Sequence, residues 1–435
     1  MLERCRARAE GAGGPLTCAA AVPVRTALRT VLLAMLLAGA GFAQQYDLLL
    51  KNAHVIDPAN QRDGVMDVAV AGNKIAKVAK GIAEADAKKT VDLAGLYVTP
   101  GLVDLHAHPY LCNSGSLFPD DVWLTTGTTT LVACGDAGWR NFDDFKKTII
   151  DRSKARVLAF INIVGHGIAG LRAEQNTGDM DPEKTAEKIR EYPDLIVGIK
   201  TAHYNRPDWI AIDRSIAAGR LTGRPIIVDS GILTTSGRDT RTEVLDKLRP
   251  GDMHTHFYND RQVEIISRFS GKVHPYMREA RRRGVLFDMG HGAGSFLWPV
   301  ASKAMADDYP PDTISTDLHQ KSVRAGQPDM PNCISKIMLL GMKFAEAIER
   351  STVNPAKAIG KFPEIGTLGE GSGADIAVLA MEQGVFAFKD AWGKKKMGDR
   401  RLRAVMTIRD GEIVFDEDGR AFPLWTESGE YDKIP

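Results

Sequence analysis

Charge imbalance is missing from this chain: 56 lysines and arginines stand against 55 aspartates and glutamates. There is therefore no electrostatic case for binding nucleic acid or an anionic membrane surface. Cysteine is scarce as well. Of the five present, Cys5 and Cys18 lie in the N-terminal leader, and Cys112, Cys134 and Cys333 form an odd set without paired spacing, which argues against a disulfide framework. Long apolar runs are confined to residues 31–40, too short for a membrane span. Arg25 and Arg29 precede that run and Gly41-Phe42-Ala43 follows it, the layout of a signal peptide. Cleavage after Ala43 and export to the periplasm or medium are expected, with no membrane attachment afterwards. No cysteine follows the run at a lipid-attachment position, and no internal repeat is visible.

What is present is enough for a large core. The 435 residues are 44% hydrophobic and exceed one usual domain, yet fit one large barrel with a small accessory unit. Residues 44–100 read as short strands separated by turns such as Asp57-Pro58-Ala59-Asn60 and Gly72-Asn73. The same texture returns in residues 361–435, with Ala374-Asp-Ile-Ala-Val-Leu and the turn Asp410-Gly411. Two sets of strands flanking a long middle predict a small β-sandwich built from both ends of the chain.

Residues 101–360 alternate apolar strands with charged, amphipathic helices, which predicts βα units and a parallel sheet. Eight strands are expected, at 103–108, 129–134, 156–164, 195–200, 225–229, 253–257, 285–289 and 313–317. Eight such units favour a (β/α)8 barrel with its chemistry at the C-terminal ends of the strands.

Histidines gather at those ends. Eight of the ten, at positions 106, 108, 166, 203, 254, 256, 291 and 319, lie at or just beyond an expected strand. His106 and His108 are two apart on a strand, so their side chains share a face and can bind one divalent metal through neutral imidazole nitrogens. His166 or His254 taken alone reads as a hydrogen-bonded core or loop histidine, although either or both of His254 and His256 could ligate. Lys200 ends the fourth strand. A lysine in a barrel mouth needs a paired acid or a modification, and a carbamate formed with carbon dioxide would turn it into an anion able to bridge two metals. Asp317, at the end of the eighth strand, can ligate a metal and accept a proton from the attacking water, or cap a helix. His203 is placed to bind a second metal. His291, in the glycine-rich turn 290–294, is expected to meet substrate, and so is His319.

The segment Pro100-Gly-Leu-Val-Asp-Leu-His106-Ala-His108, with Lys200, His256 and Asp317, resembles the amidohydrolase superfamily of metal-dependent hydrolases. The resemblance covers nearly the whole chain after the leader, including Gly373-Ala-Asp-Ile-Ala-Val-Leu. More narrowly, Ala137-Gly-Trp-Arg-Asn-Phe, Asn162-Ile-Val-Gly, Val197-Gly-Ile-Lys-Thr-Ala-His, Asp288-Met-Gly-His-Gly and Ser315-Thr-Asp-Leu-His look like its deacetylase branch, often labelled dihydroorotase-like.

The resemblance implies zinc, two ions bridged by carbamylated Lys200, with His106, His108 and Asp317 on the first. Members usually place a histidine on strand five. This strand reads Ile226-Ile-Val-Asp229-Ser-Gly, leaving His203 and His256 as the candidate pair for the second ion. Dihydroorotases carry an arginine two residues after the second histidine, where this chain has Tyr110; Arg172, His291 or His319 would have to hold a substrate carboxylate instead. The implied activity is deacetylation of a small acylated acid, ester or amide, by metal-activated hydroxide with Asp317 as general base and then acid. The alternatives are a cyclic-amide hydrolase and a D-aminoacylase-like enzyme using Cys134 as a ligand, against a buried core cysteine. A metal-free paralogue would be expected to lose ligands that this chain keeps. The expected partner is a small-molecule substrate, and a homo-oligomer is expected.

Overall fold

The computed structural model describes residues 44–110, 115–229, 242–259, 264–326 and 329–429. The expected leader, with Cys5, Cys18 and the cleavage site at Ala43, lies outside them, as does Cys112. Cys134 and Cys333 are both buried free thiols. Among the described residues no helix is long and apolar enough to cross a membrane.

The chain opens with β1 (Tyr46–Asp57), β2 (Arg62–Ala71), β3 (Lys74–Ala79), β4 (Ala87–Asp92) and β5 (Tyr97–Pro100). Seven further strands follow: β6 (Leu102–Ala107), β7 (Thr128–Gly138), β8 (Arg156–Asn162), β9 (Ile196–Thr201), β10 (Ile226–Val228), β11 (Met253–His254) and β12 (Leu286–Phe287). The last three are β13 (Ile376–Lys389), β14 (Lys395–Arg409) and β15 (Glu412–Asp416).

Strands from the two ends of the chain share one eight-stranded sheet, in the order β15-β14-β13-β5-β1-β2-β3, with β4 also on β1. The two sets of strands expected to build one small unit from both ends of the chain do meet: β5 pairs with both β1 and β13 and joins the halves edge to edge. A bulge in β1 between Leu50 and Ala53 resets its alternation. Leu48, Leu50 and Val55 then pack with Val70, Val98, Ile376, Val405 and Ile408 in one apolar cluster. Each such side chain stabilises the fold by about 1.5–3 kcal/mol on burial.

The middle strands form a second sheet in strict sequence, β6 through β12, every pairing parallel. β6 and β9 are buried along their whole length, as expected of strands covered on both faces. Helices fill the connections. In Pro182–Glu191, Asp181 caps the N-terminus by accepting from the Glu183 and Lys184 N–H groups at 3.0 and 3.1 Å, and Thr185, Ala186 and Ile189 face the core; such a cap contributes about 1 kcal/mol.

The eighth strand expected at 313–317 is an irregular segment instead. Met289 N donates to Thr313 O at 3.0 Å on the β12 side, while Asp317 N reaches His106 O at 2.7 Å and His108 N reaches Leu318 O at 3.0 Å on the β6 side. One segment thus joins both edges of the curled sheet. Its ladder is broken for two local reasons: Thr316 N bonds the Asp104 side chain at 2.9 Å, and Asp317 takes a left-handed φ of 49°. These contacts bring the ends of β6, β9, β10 and β11 and Asp317 round one space.

Candidate metal centre

A cavity of about 70 Å³ at the C-terminal ends of the parallel strands is lined by His106, His108, Lys200, His203, Asp229, His256, Asp317 and His319, with Ile168 and Ala202. A larger groove of about 630 Å³ beside Trp298 and Trp392 is lined by no histidine. The backbone is bent to build this cavity. Among the described residues seven non-glycines have positive φ, and three of them are His203, His256 and Asp317, a concentration expected where function holds the chain in a costly conformation.

Hydrogen bonds aim the imidazoles. His256 Nδ1 donates to the Gly290 carbonyl at 2.7 Å, His203 Nδ1 to Glu174 Oε2 at 2.6 Å, and His108 Nδ1 to Asp136. His106 Nδ1 lies 2.9 Å from Thr255 Oγ1, and because that hydroxyl donates to Asp288 at 2.7 Å, it accepts from the ring. All four rings therefore carry their proton outwards and turn Nε2 inwards. His108 Nε2 is 2.9 Å and His106 Nε2 3.5 Å from Asp317 Oδ1, and His203 and His256 Nε2 are each 3.3 Å from Asp229 Oδ2. Ring nitrogens gathered on carboxylate oxygens in this way form a donor cluster that a divalent cation can enter. The donor set fits a divalent metal, with outer acceptors fixing tautomer and orientation. Ligand atoms of His106, His256 and Asp317 all lie within 4.8 Å of one another.

Charges follow the same plan. Burial, then the Lys200 charge, pushes His106 down to about 3, so it is the neutral ligand form at physiological pH. Burial would raise Asp317 and Asp229, but the histidines around them hold both well below the usual carboxylate range. Lys200 is 1% exposed, with Nζ 3.4 Å from His106 Nε2. Burial would lower it, yet Cys134, Asp229 and Asp317 together raise it.

His319 differs from the other four. Its Nδ1 accepts from Lys321 N at 3.2 Å, which leaves the proton on Nε2, and burial keeps the ring neutral. Its ring centroid is 6.1 Å from that of His108. His291, expected to meet substrate, is packed behind the cavity instead: it is fully buried, stacked on Phe296 at 4.6 Å, and Lys336 Nζ donates to its Nε2 at 2.8 Å. The glycine-rich turn around it has another purpose. A Cβ on Gly292 (φ 49°) would sit 2.1 Å from Asp317 Oδ2, and one on Gly290 (φ 46°) 2.3 Å from Thr255 Oγ1. His166 and Arg172 are exposed, and the Tyr110 hydroxyl donates to Asp144.

In the sequence Asp229 stands where a histidine is expected, and nothing there marks Asp136, Glu174, Thr255 or Asp288 as partners of the rings. Asp229 follows the apolar Ile226-Ile-Val as Asp317 follows its own strand, and that signal was available. The other four act across the fold and leave no local trace.

The description "Amidohydrolase family" matches residues 299–414. A deacetylase of Agrobacterium fabrum is 32% identical over 305 residues, 67% of this chain and 73% of the relative. Among solved structures, an adenine deaminase superposes with a TM-score of 0.77 at 26% identity, covering 85% of this chain and all of the other. A dihydroorotase does so at 0.72 and 28%, covering 85% and 99%. The chain belongs to the amidohydrolase superfamily and is a hydrolase of that superfamily.

Proposed function

We propose that the chain is a metal-dependent deacetylase that hydrolyses an acetyl ester or amide of a small carboxylic acid. The observation that carries this reading is the set of four imidazoles with outward Nδ1–H groups and inward Nε2 atoms around Asp317 and Asp229. The likeness to a deacetylase supports the reaction class. On this reading the irregular segment 313–318 occupies the eighth-strand position of a (β/α)8 barrel that carries a small β-sandwich domain.

His106, His108 and Asp317 would hold one ion, His203 and His256 a second, with Lys200 as a carbamate between them; zinc is the metal proposed. Bound there, it supplies a Lewis acid and brings the pKa of a coordinated water towards neutrality. Asp317, kept anionic by the histidines around it, takes the proton of the attacking water and returns it to the leaving oxygen or nitrogen as the acyl bond breaks, releasing acetate and an alcohol or amine. His319 is the fixed neutral donor at the rim, and its Nε2–H is placed to hold the substrate carbonyl or carboxylate. Residues such as Ile168 and Ala202 narrow the cavity and limit water.

A dihydroorotase-like activity has the similarity to a dihydroorotase in its favour, but it lacks the carboxylate-binding arginine. Tyr110 stands there with its hydroxyl committed to Asp144. A D-aminoacylase-like centre would need Cys134 as a ligand, whereas Cys134 is fully buried and is not among the residues that line the cavity. The deciding measurement is kcat/KM, side by side, on O-acetyl mandelate, N-acetyl-D-amino acids and dihydroorotate. If dihydroorotate is turned over fastest, the deacetylase reading fails.

Export with a mature N-terminus at Gln44 and homo-oligomerisation belong to the same proposal. N-terminal sequencing of protein from the native envelope and light scattering test them.

A further inference from the structure

We infer that Asp229 is a metal ligand: with His203 and His256 it forms a two-imidazole, one-carboxylate position for the second divalent cation, on the strand where the superfamily resemblance leads one to expect a histidine. This rests on the metal-hydrolase reading above.

The first ground is orientation. His203 and His256 come from different connections, yet each gives its Nδ1 proton to a fixed acceptor, Glu174 Oε2 at 2.6 Å and Gly290 O at 2.7 Å. Each then turns its Nε2 to the same oxygen, Asp229 Oδ2, at 3.3 Å. Two ring nitrogens held on one carboxylate oxygen make a three-donor cluster that a divalent cation can enter.

The second ground is distance. Both Nε2 to Oδ2 separations are 3.3 Å. A charge-assisted N–H to carboxylate bond closes to about 2.7–2.9 Å, as Glu174 does with the other side of the same ring. Two ligands each about 2.0–2.2 Å from a tetrahedral ion stand about 3.3 Å apart. Both separations fit neighbours in a coordination sphere and are longer than a fully closed charge-assisted hydrogen bond.

The third ground is placement. Asp229 follows β10 directly, its backbone N–H fixed by Thr201 O at 3.0 Å, and its side chain is 5% exposed on the cavity wall that holds Lys200. A buried carboxylate there neutralises one unit of cationic charge that a histidine would leave. It also makes the donor set harder, favouring Mn²⁺ relative to Zn²⁺ in comparison with an all-imidazole set.

The test is Co²⁺ uptake by chelator-stripped full-length protein, counted by elemental analysis after dialysis and followed by visible absorption. Wild type should take up two Co²⁺ per chain. Asp229→Asn should keep one and lose the other. Glu174→Gln, which frees His203 without touching the carboxylate, should weaken the second ion tenfold or more and leave the first unchanged. Asp229→His should take up the second ion again with a shifted Zn²⁺ over Mn²⁺ preference. If Asp229→Asn does not fold, Asp229→His decides the matter: an unchanged Zn²⁺ over Mn²⁺ preference overturns the assignment. Two ions at wild-type affinity in Asp229→Asn, or one ion in wild type, overturns the assignment while the metal-hydrolase reading stands. No ion in wild type overturns both.

Discussion

His108 donates its Nδ1 proton to Asp136, whose other oxygen accepts the Tyr110 backbone N–H at 2.9 Å. Asp136 therefore clamps a ring on one side and the chain two residues later on the other. Burial would lower His108, but Asp136 and then Asp317 raise it well above the usual histidine value.

Asp136→Asn should accordingly lower metal affinity by roughly 10–100-fold, since it removes the anion that fixes the ring's tautomer while leaving all direct donors in place. Competition with a chromogenic chelator measures this. Unchanged affinity would show that the clamp is structural only.

Gly292→Ala places a methyl where Asp317 Oδ2 now lies, on backbone of φ 49°. The left-handed conformation costs an alanine about 1–2 kcal/mol, and the carboxylate must move as well. We expect loss of bound metal and at least a hundredfold fall in kcat/KM. Gly294→Ala is the control: nothing lies within 4 Å of its added Cβ, so it should behave as wild type. Equal behaviour of the two variants would refute the argument.

These contacts mark what could be read from sequence. His106, His108, Lys200, His203, His256 and Asp317 line one cavity because period-two direction and strand ends are local properties. The curled parallel sheet followed from the βα alternation. What escaped depends on neighbours far along the chain. His291 has the same local setting as the cavity histidines, and only Lys336, 45 residues on, and Phe296 decide that it packs behind them. The eighth segment lost its ladder to Asp104, 212 residues away.

Lys336 is fully buried on His291, and burial lowers it to about 8. Unfolded, it titrates near 10.4. Between those values the unfolded chain binds more protons, so this group makes stability rise with pH from about 8 to 10.5; below 8 its charge is a constant cost. Lys336→Met should erase that rise. Urea unfolding of both proteins from pH 7 to 10.5 should show a difference that shifts by about 3 kcal/mol in favour of wild type. Parallel curves would mean that the lysine is solvated in the native protein.

Lys200 has two consistent states. As an ammonium it is held by Asp229 and Asp317, which together with Cys134 raise its pKa against the effect of burial. As a carbamate, formed when neutral Nζ adds to carbon dioxide and loses one proton, it is an anion that two cations would stabilise and two lone carboxylates would not. Metal should therefore switch the residue from one state to the other. Protein loaded with metal under ¹³C-bicarbonate should show a carbamate carbon resonance that disappears on chelation. Lys200→Ala should lose that resonance, much of its metal and its activity, because a buried bridge is removed from between two ions. Propionate or another short acid, added with metal, should restore part of both by supplying a carboxylate in the vacated space. No resonance in fully loaded, active wild type would leave the ammonium paired with its acids as the working state, and the bridge would have to be withdrawn.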